Sequence, residues 1–263
     1  MKSSGKVEEK LLRKEKKYEV EQRMKEKRSE DREVFEEVFD QSTLLTIYEL
    51  LNRGVINRLY GVVRAGKESR VYRGVDPKGR DLAVKIYLTT SAEFRKGMMP
   101  YIQDDPRFLR ARQDTKSLIY AWALREFKNL QKAYKVGVRV PKPIAVNKNV
   151  LVMEFIGNNG VPAPLLKDEP PKKPIQTYNH ILKYVKQLYQ KADLVHADLS
   201  EYNIMIWKNQ PVIFDISQAV TSKHPMAHSF LQRDIANVNN YFKKLGCRIR
   251  SLEEVYKWVT KVD

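Results

Sequence analysis

The run His196-Ala197-Asp198-Leu199-Ser200-Glu201-Tyr202-Asn203 carries a carboxylate and a carboxamide five positions apart, with a histidine two positions ahead. That spacing follows the template H-x-D-L-x-x-x-N, and phosphoryl transfer explains it. An aspartate must accept or orient the proton of an attacking hydroxyl, and an asparagine a few peptide units on must turn back to hold a metal ion. A short loop lets both side chains face one phosphate. Twelve residues after Asn203, Asp215 ends the apolar run Pro211-Val212-Ile213-Phe214. A carboxylate at a strand end beside such a loop can supply a second metal ligand. Taken alone, either aspartate also fits a plain turn or helix cap.

Upstream, Leu82-Ala83-Val84-Lys85-Ile86 puts a lysine between apolar neighbours on a short strand, so its ammonium must reach water or meet an anion. Glu126 lies on or beside the apolar stripe of a helical segment with Ile119, Ala123 and Leu130. A carboxylate there needs a partner, because an unpaired buried charge is costly. Lys85 is the natural one, and an exposed Glu126 or a surface salt bridge is the plain alternative. Gly61-Val62-Val63-Arg64-Ala65-Gly66-Lys67 satisfies the first seven positions of a Walker A loop, but the eighth must be Ser or Thr. Here it is Glu68, with Ser69 one place late, and Ser69 to Val75 reads as a strand rather than the helix such a loop opens. The run suits a nucleotide-covering turn between two strands, with backbone amides, Lys67 or Ser69 near the phosphates. His224 and His228 could share a helical face as metal ligands, but Pro225 and Met226 between them favour a loop without a metal.

These residues need elements to hold them. Short β-branched or aromatic runs at Leu59–Ala65, Ser69–Val75 and Leu82–Leu88 predict an antiparallel meander. In Asp76-Pro77-Lys78-Gly79, Pro presets the second turn position and Gly closes the fourth. Lys116–Tyr134 predicts an amphipathic helix with Ile119, Ala123, Phe127, Leu130 and Tyr134 on one side, and Tyr178–Tyr189 predicts another. Asn149–Ile156 reads as a strand ended by Gly157, and Pro211–Asp215 as a second short one. Val34–Leu51 has helical spacing stopped by Gly54, and Ile235–Leu245 by Gly246. Ser251 with Glu254 makes a capping box for a last helix. Thr89–Gln113 has no clean period and predicts a long surface loop.

Strands first and helices later predict an α+β fold of two lobes. The expected organisation is a basic helical or disordered arm over residues 1–33 and a β-rich lobe over 34–156, with preceding helices and a flexible insertion near 89–113. A helical lobe over 157–263 follows, the boundary falling near Gly157.

The chain has 263 residues, 42% of them hydrophobic, enough to bury a sizeable core. No apolar run approaches the ~20 residues that span a bilayer, and the first residues lack the apolar stretch of a secretory signal. A soluble, cytoplasmic protein with no membrane partner is expected. Cys247 is the only cysteine, which excludes an internal disulfide and a cysteine-rich zinc site. The formal charge of +17, from 49 Lys and Arg against 32 Asp and Glu, draws polyanions without saying which.

Covering loop, Lys85, Glu126, strand to Ile156, catalytic loop and Asp215 form an ordered set, far less expected by accident than any one member. Leu194-Val195-His196-Ala197-Asp198-Leu199-Ser200-Glu201-Tyr202-Asn203-Ile204-Met205 resembles the signature of the RIO atypical serine/threonine kinases. Gly66-Lys67-Glu68-Ser69-Arg70-Val71-Tyr72, Ala83-Val84-Lys85-Ile86-Tyr87 and Asp105-Pro106-Arg107-Phe108 resemble that family too. The resemblance is to the first RIO subfamily more than to the second, whose members begin with a winged helix. It implies a bilobal protein-kinase-like fold with a reduced helical C-lobe, and ATP with Mg2+ as cofactors, Mn2+ being an alternative ion. It implies that Lys85 binds the ATP phosphates, paired with Glu126, and that the backbones of Glu154 and Ile156 in a hinge meet adenine. Asp198 would be the catalytic base, Asn203 and Asp215 would hold the metal, and Asp215 would itself receive phosphate. A role in small ribosomal subunit maturation is implied as well, giving the basic surface the pre-ribosomal small subunit and its rRNA as partner. The protein substrate stays unnamed.

Two departures stand out. Arg64-Ala65 occupy the positions of the family's Ser-Thr, which removes hydroxyl contacts there, and Asp215-Ile216-Ser217 lacks glycine, which predicts a stiffer loop. Only 48 residues follow Asp215 and none spell A-P-E, so a peptide-docking surface is expected to be missing. Autophosphorylation, or ATP hydrolysis used as a switch, then stands level with phosphorylation of other proteins. A small-molecule phosphotransferase of kinase fold and a non-catalytic, nucleotide-regulated rRNA-binding assembly factor are the alternatives.

Overall fold

The computed structural model describes residues 39–89, 98, 100–102 and 114–261. The basic arm over residues 1–33 and the first residues of the helix expected from Val34 lie outside the described residues. The chain divides after Leu45 into two units, and apart from the start of the first helix the elements below belong to the second. Helix α1 (Gln41–Asn52) begins where Asp40 Oδ1 accepts the Thr43 amide at 2.8 Å. It stops at Gly54, whose φ of 68° is open to glycine at little cost.

The meander follows as β1 (Arg58–Ala65), β2 (Ser69–Val75) and β3 (Asp81–Tyr87), each antiparallel to the one before. Asp76 builds the turn between β2 and β3. Its Oδ1 accepts the Lys78 and Arg80 amides, both at 2.9 Å. The Walker-like run closes the turn between β1 and β2, where the Gly66 amide donates to the Ser69 carbonyl at 2.9 Å, and it leads into a strand. The run therefore does not open a helix as a Walker loop would. Two further strands, β4 (Pro143–Asn147) and β5 (Val150–Glu154), pair antiparallel, and β5 pairs with β3. The sheet order is β1-β2-β3-β5-β4. The edge strand β4 was not anticipated, because it opens on Pro143 and lacks a clear apolar alternation.

Helix α2 (Thr115–Lys135) is capped by Asp114, whose Oδ1 accepts the Ser117 amide at 2.9 Å. Ile119, Ala123 and Leu130 are buried as the spacing predicts, while Tyr134, expected beside them, is exposed in the last turn. The stretch expected as a surface loop over 89–113 is described at Thr89, Met98 and 100–102 only. Met98 is buried with Tyr87, Leu118, Ile119 and Trp122, so this part docks on α2 instead of running over the surface. Isolated apolar anchors carry it inward, and isolated anchors leave no period in the sequence.

A two-residue ladder joins β6 (Gly157–Asn158) to β7 (Val161–Pro162), and α3 (Pro174–Ala192) starts on a proline. Strands β8 (Ile204–Trp207) and β9 (Gln210–Ile213) form a hairpin, of which only the second strand was expected. After a 3-10 turn (Ile216–Gln218) come α4 (Ala227–Lys244) and α5 (Leu252–Thr260). Ser251 and Glu254 cap α5 reciprocally, as predicted. One apolar core runs from β3 and β5 through α2 to α3, α4 and α5, with Leu151, Ile181, Ile213, Ile235 and Phe242 fully buried. Each such side chain contributes about 1.5–3 kcal/mol by leaving water. No helix among the described residues is long and apolar enough to cross a membrane.

Candidate active site

Strand alternation puts Lys85 and Tyr87 on one face of β3. The Lys85 ammonium donates to Glu126 Oε1 on α2 at 2.9 Å and to Asp215 Oδ1 at 2.7 Å. Lys85 and Glu126 are 7% and 1% exposed, whereas 45% of the Asp215 side chain is open at the cleft. The Tyr87 hydroxyl donates to Glu126 Oε2, and the Lys85 ammonium lies 5.0 Å from the Tyr87 ring centre. The pair expected from a lysine among apolar residues and a glutamate on an apolar stripe is therefore closed by Tyr87. Counting two residues on from Lys85 along the strand could have found it.

Burial alone would drive the proton off Lys85. The Asp215 and Glu126 carboxylates outweigh it and hold the ammonium well above the usual lysine range. Desolvation by the cleft wall pushes Asp215 up, but Lys85 overrides it and keeps that carboxyl below the ordinary aspartate range. Glu126 is pushed up by burial, with Lys85 opposing. Two donors on its oxygens, Lys85 and Tyr87, favour the Glu126 carboxylate.

Beyond α3 the chain is pinned by two hydrogen bonds between Val195 and Val220, at 2.9 and 3.0 Å. His196, Ala197 and Leu199 are buried, while Asp198 among them is exposed. Ala197 sits at φ 68°, a conformation that costs a non-glycine residue roughly 1–2 kcal/mol. Helix α4 holds it there. Asp234 Oδ2 accepts the Ala197 amide and Oδ1 the Leu199 amide, each at 2.8 Å, and the Arg233 guanidinium donates to the Ala197 carbonyl. Asn203 turns back as the motif requires, its Nδ2 donating to the Asp198 carbonyl at 2.8 Å and to Asp198 Oδ2 at 3.2 Å. Partial desolvation in the cleft, helped by the Asp215 carboxylate, pushes the Asp198 carboxyl up against the hydrogen bond from Asn203. A raised carboxyl is a stronger base. Burial lowers His196, so its ring is neutral at pH 7.

Asp234 was not anticipated. It lies among Phe230, Leu231, Ile235 and Val238 on the buried face of α4, the same signal that found Glu126, but the helix was expected to begin at Ile235, just past Asp234, and it begins at Ala227. Burial pushes its carboxyl up to about 7, against two amide bonds and Arg233. A raised carboxyl stabilises the fold below its unfolded value, near 3.8, and that contribution is lost as pH rises through about 7. Asp234→Asn is therefore expected to flatten the dependence of urea-unfolding stability on pH between about 4 and 7. The same slope in variant and wild type would rule this assignment out.

Past β9, Asp215 takes a left-handed conformation, φ 56° and ψ 54°, into the 3-10 turn, and Ser217 Oγ donates to Asp215 Oδ1 at 3.1 Å. In the covering turn Lys67 is exposed and Ser69 half-buried. The carboxyl that feels Asp215, Lys85 and Asp198 belongs to Glu68, which was not anticipated; burial first and Asp215 second push it up. At the expected hinge the Glu154 amide donates to the Lys142 carbonyl at 2.8 Å, and the Ile156 carbonyl accepts from Ala163 at 2.9 Å. Arg139 grips the Glu154 carboxylate through two bonds of 2.8 and 2.7 Å. His224 stacks on Phe230 and His228 meets Tyr256.

The Asn203 amide oxygen and the Asp215 carboxylate are hard donors that suit magnesium. Among the described residues no group of three or more His, Cys, Asp or Glu could hold a metal. An ion at Asn203 and Asp215 must then complete its shell with water and phosphate oxygens, which is how Mg2+ is commonly bound.

Residues 70–255 match the RIO domain family. The chain is 40% identical over 238 residues to the RIO-type serine/threonine-protein kinase Rio1 of Haloferax volcanii, covering 90% of this chain and 81% of that protein. It is 40% identical over 234 residues to the Rio1 of Methanocaldococcus jannaschii, covering 88% and 78%. Human serine/threonine-protein kinase RIO1 is 35% identical over 234 residues, which are 88% of this chain but 41% of the human one. Among solved structures, the Rio2 kinase–ADP/Mg2+–phosphoaspartate complex from Chaetomium thermophilum superimposes with a TM-score of 0.64 at 23% identity, over 83% of this chain and 66% of that one. That likeness establishes the fold as α+β, bilobal and protein-kinase-like.

Proposed function

This chain belongs to the RIO family of serine/threonine kinases, and we propose that Lys85, Asp198, Asn203 and Asp215 carry ATP- and Mg2+-dependent phosphoryl transfer in it. One observation supports this above the others: Lys85 joins Glu126 and Asp215, and the Asp215 carboxylate in turn acts on Asp198, itself paired with Asn203. Lys85 would meet the ATP phosphates, with Glu126 and Tyr87 keeping its ammonium in place. The Glu154 carbonyl and the Ile156 amide would receive adenine. Asn203 and Asp215 would hold Mg2+, which when bound neutralises charge on the phosphates. Asp198 would take the proton of the attacking hydroxyl.

A second acceptor fits the same centre. Asp215 is kept ionised by Lys85 and is half open, so its carboxylate can attack the terminal phosphorus while the bond to the ADP oxygen breaks. Water then cleaves the acyl phosphate, Asp198 takes the proton, and inorganic phosphate leaves. Autophosphorylation and an ATPase cycle follow from these two routes. Membership of the RIO family suggests an RNA-rich partner, the maturing small ribosomal subunit, and a cytoplasmic site of action; the charge of +17 suits a polyanion without singling one out. Chemical stability of the label from γ-labelled ATP separates the routes. Acid-stable label on Ser or Thr marks the kinase, and label that is released by acid and by neutral hydroxylamine marks the aspartyl phosphate. Neither label nor phosphate release, with nucleotide still bound, would leave a binding factor.

A further inference from the structure

Helix α2 does more than supply Glu126. Arg125, the preceding residue, is 2% exposed and reaches three backbone carbonyls. Its Nη1 donates to Tyr101 at 2.9 Å, and its Nη2 to Gln218 at 3.1 Å and to Ala219 at 2.7 Å. Its guanidinium stacks over Trp122, 4.7 Å from the ring centre. One turn further on, Asn129 Nδ2 donates to the Ile216 carbonyl at 3.0 Å and lies 3.4 Å from that of Ala219. Every carbonyl of the turn after Asp215 that these two side chains hold lies within four residues of the aspartate. Tyr101 in turn stacks on Phe230 at 5.5 Å, and Phe230 carries the guanidinium of Arg233, which grips Ala197 beside Asp198.

We propose that Arg125 is a positioning residue for the metal site: its planar fork ties the turn after Asp215 to α2 and to the 100–102 segment, and so sets the angle at which Asp215 is offered to a cation. The physical case is one of over-determination. Asp215 is a non-glycine residue in a left-handed conformation, which persists only where the surroundings enforce it. Lys85 and the Ser217 hydroxyl hold the side chain of Asp215, which does not by itself fix the backbone of the turn. Arg125 and Asn129 fix that backbone. A buried guanidinium is suited to this task because its donors diverge in a plane and can bind carbonyls from two separate segments. A lysine ammonium is a point charge that can serve one segment well.

The inference rests on Asp215 being a metal ligand, as proposed above. Its test is Mn2+ binding followed by electron paramagnetic resonance in the presence of ADP, with ADP affinity measured separately without metal. Arg125→Met is expected to weaken Mn2+ binding by about 10-fold or more, the usual effect of removing a support behind a ligand, and to leave metal-free ADP affinity unchanged. Arg125→Lys is expected to fall between Arg125→Met and wild type. Wild-type Mn2+ affinity in folded Arg125→Met, with Asp215→Ala abolishing binding, would overturn the role of Arg125 and leave the site intact. Unchanged Mn2+ binding in Asp215→Ala would remove the metal site itself. Should Arg125→Met fail to fold, Arg125→Lys decides: intermediate affinity supports the proposal and wild-type affinity overturns it.

Discussion

Asp198→Ala is expected to lower phosphate turnover by roughly 10²–10⁴-fold, the range contributed by a positioned general base, while ADP binds as before. The separation of effects follows from the geometry. Asp198 is exposed and its side chain accepts a bond from Asn203, whereas the groups that would hold nucleotide, Lys85 and the Glu154–Ile156 strand end, lie on other elements. The amides of Ala197 and Leu199 stay bound to Asp234 whatever side chain stands between them. The loop should therefore keep its shape in the variant. Steady-state phosphate release and ADP titration measure the two quantities independently. Full turnover in Asp198→Ala would remove the base from the mechanism.

Lys85→Met should produce the largest loss of stability. It strands Glu126, 1% exposed, without its cation, and breaking one side of a buried pair costs about 3–5 kcal/mol. Asp215 adds less, because its open carboxylate is screened by water. The loss should depend on pH in a defined direction. With Lys85 gone, burial raises Glu126 against the Tyr87 hydroxyl alone, so the folded state takes up a proton more readily than the unfolded chain. Stability is then retained at low pH and lost as pH rises through the raised value. Urea unfolding at acid and neutral pH should show the deficit of Lys85→Met growing with pH, and Lys85→Met/Glu126→Gln should recover part of it at neutral pH. A deficit that shrinks as pH rises would mean that the pair is not the origin of the loss.

The parts of the site legible in the sequence are those whose residue types conflict with their surroundings. A lysine inside an apolar strand and a glutamate on an apolar helix face each demand a partner, and the structure joins Lys85 to Glu126 at 2.9 Å. Asp198 and Asn203 were legible through a fixed spacing imposed by one short loop. Arg125 and Asn129 were not, because they act on backbone carbonyls far away in the chain, and such contacts impose no local pattern; Asp234 was missed because the helix expected from Ile235 begins at Ala227. The expected position of Lys67 and Ser69 near phosphate followed from the turn alone, and the side chain that turn presents to the charged cluster is that of Glu68.

The fold was legible to a similar depth. The meander, α2, α3 and the capped α5 all carry strong periodicity or a cap with a chemical cause. Strands β4 and β8 carry neither, since one is an edge strand opened by proline and the other is four residues closed on its neighbour by a tight turn. The burial of Met98 was equally silent in the sequence.

The most direct test of the account is single-turnover transfer of the terminal phosphate of ATP, with and without Mg2+, by wild type and by Asp215→Ala. The account predicts transfer by wild type that requires Mg2+ and no transfer by Asp215→Ala under either condition. Transfer by Asp215→Ala at the wild-type rate, with the same dependence on Mg2+, would contradict it.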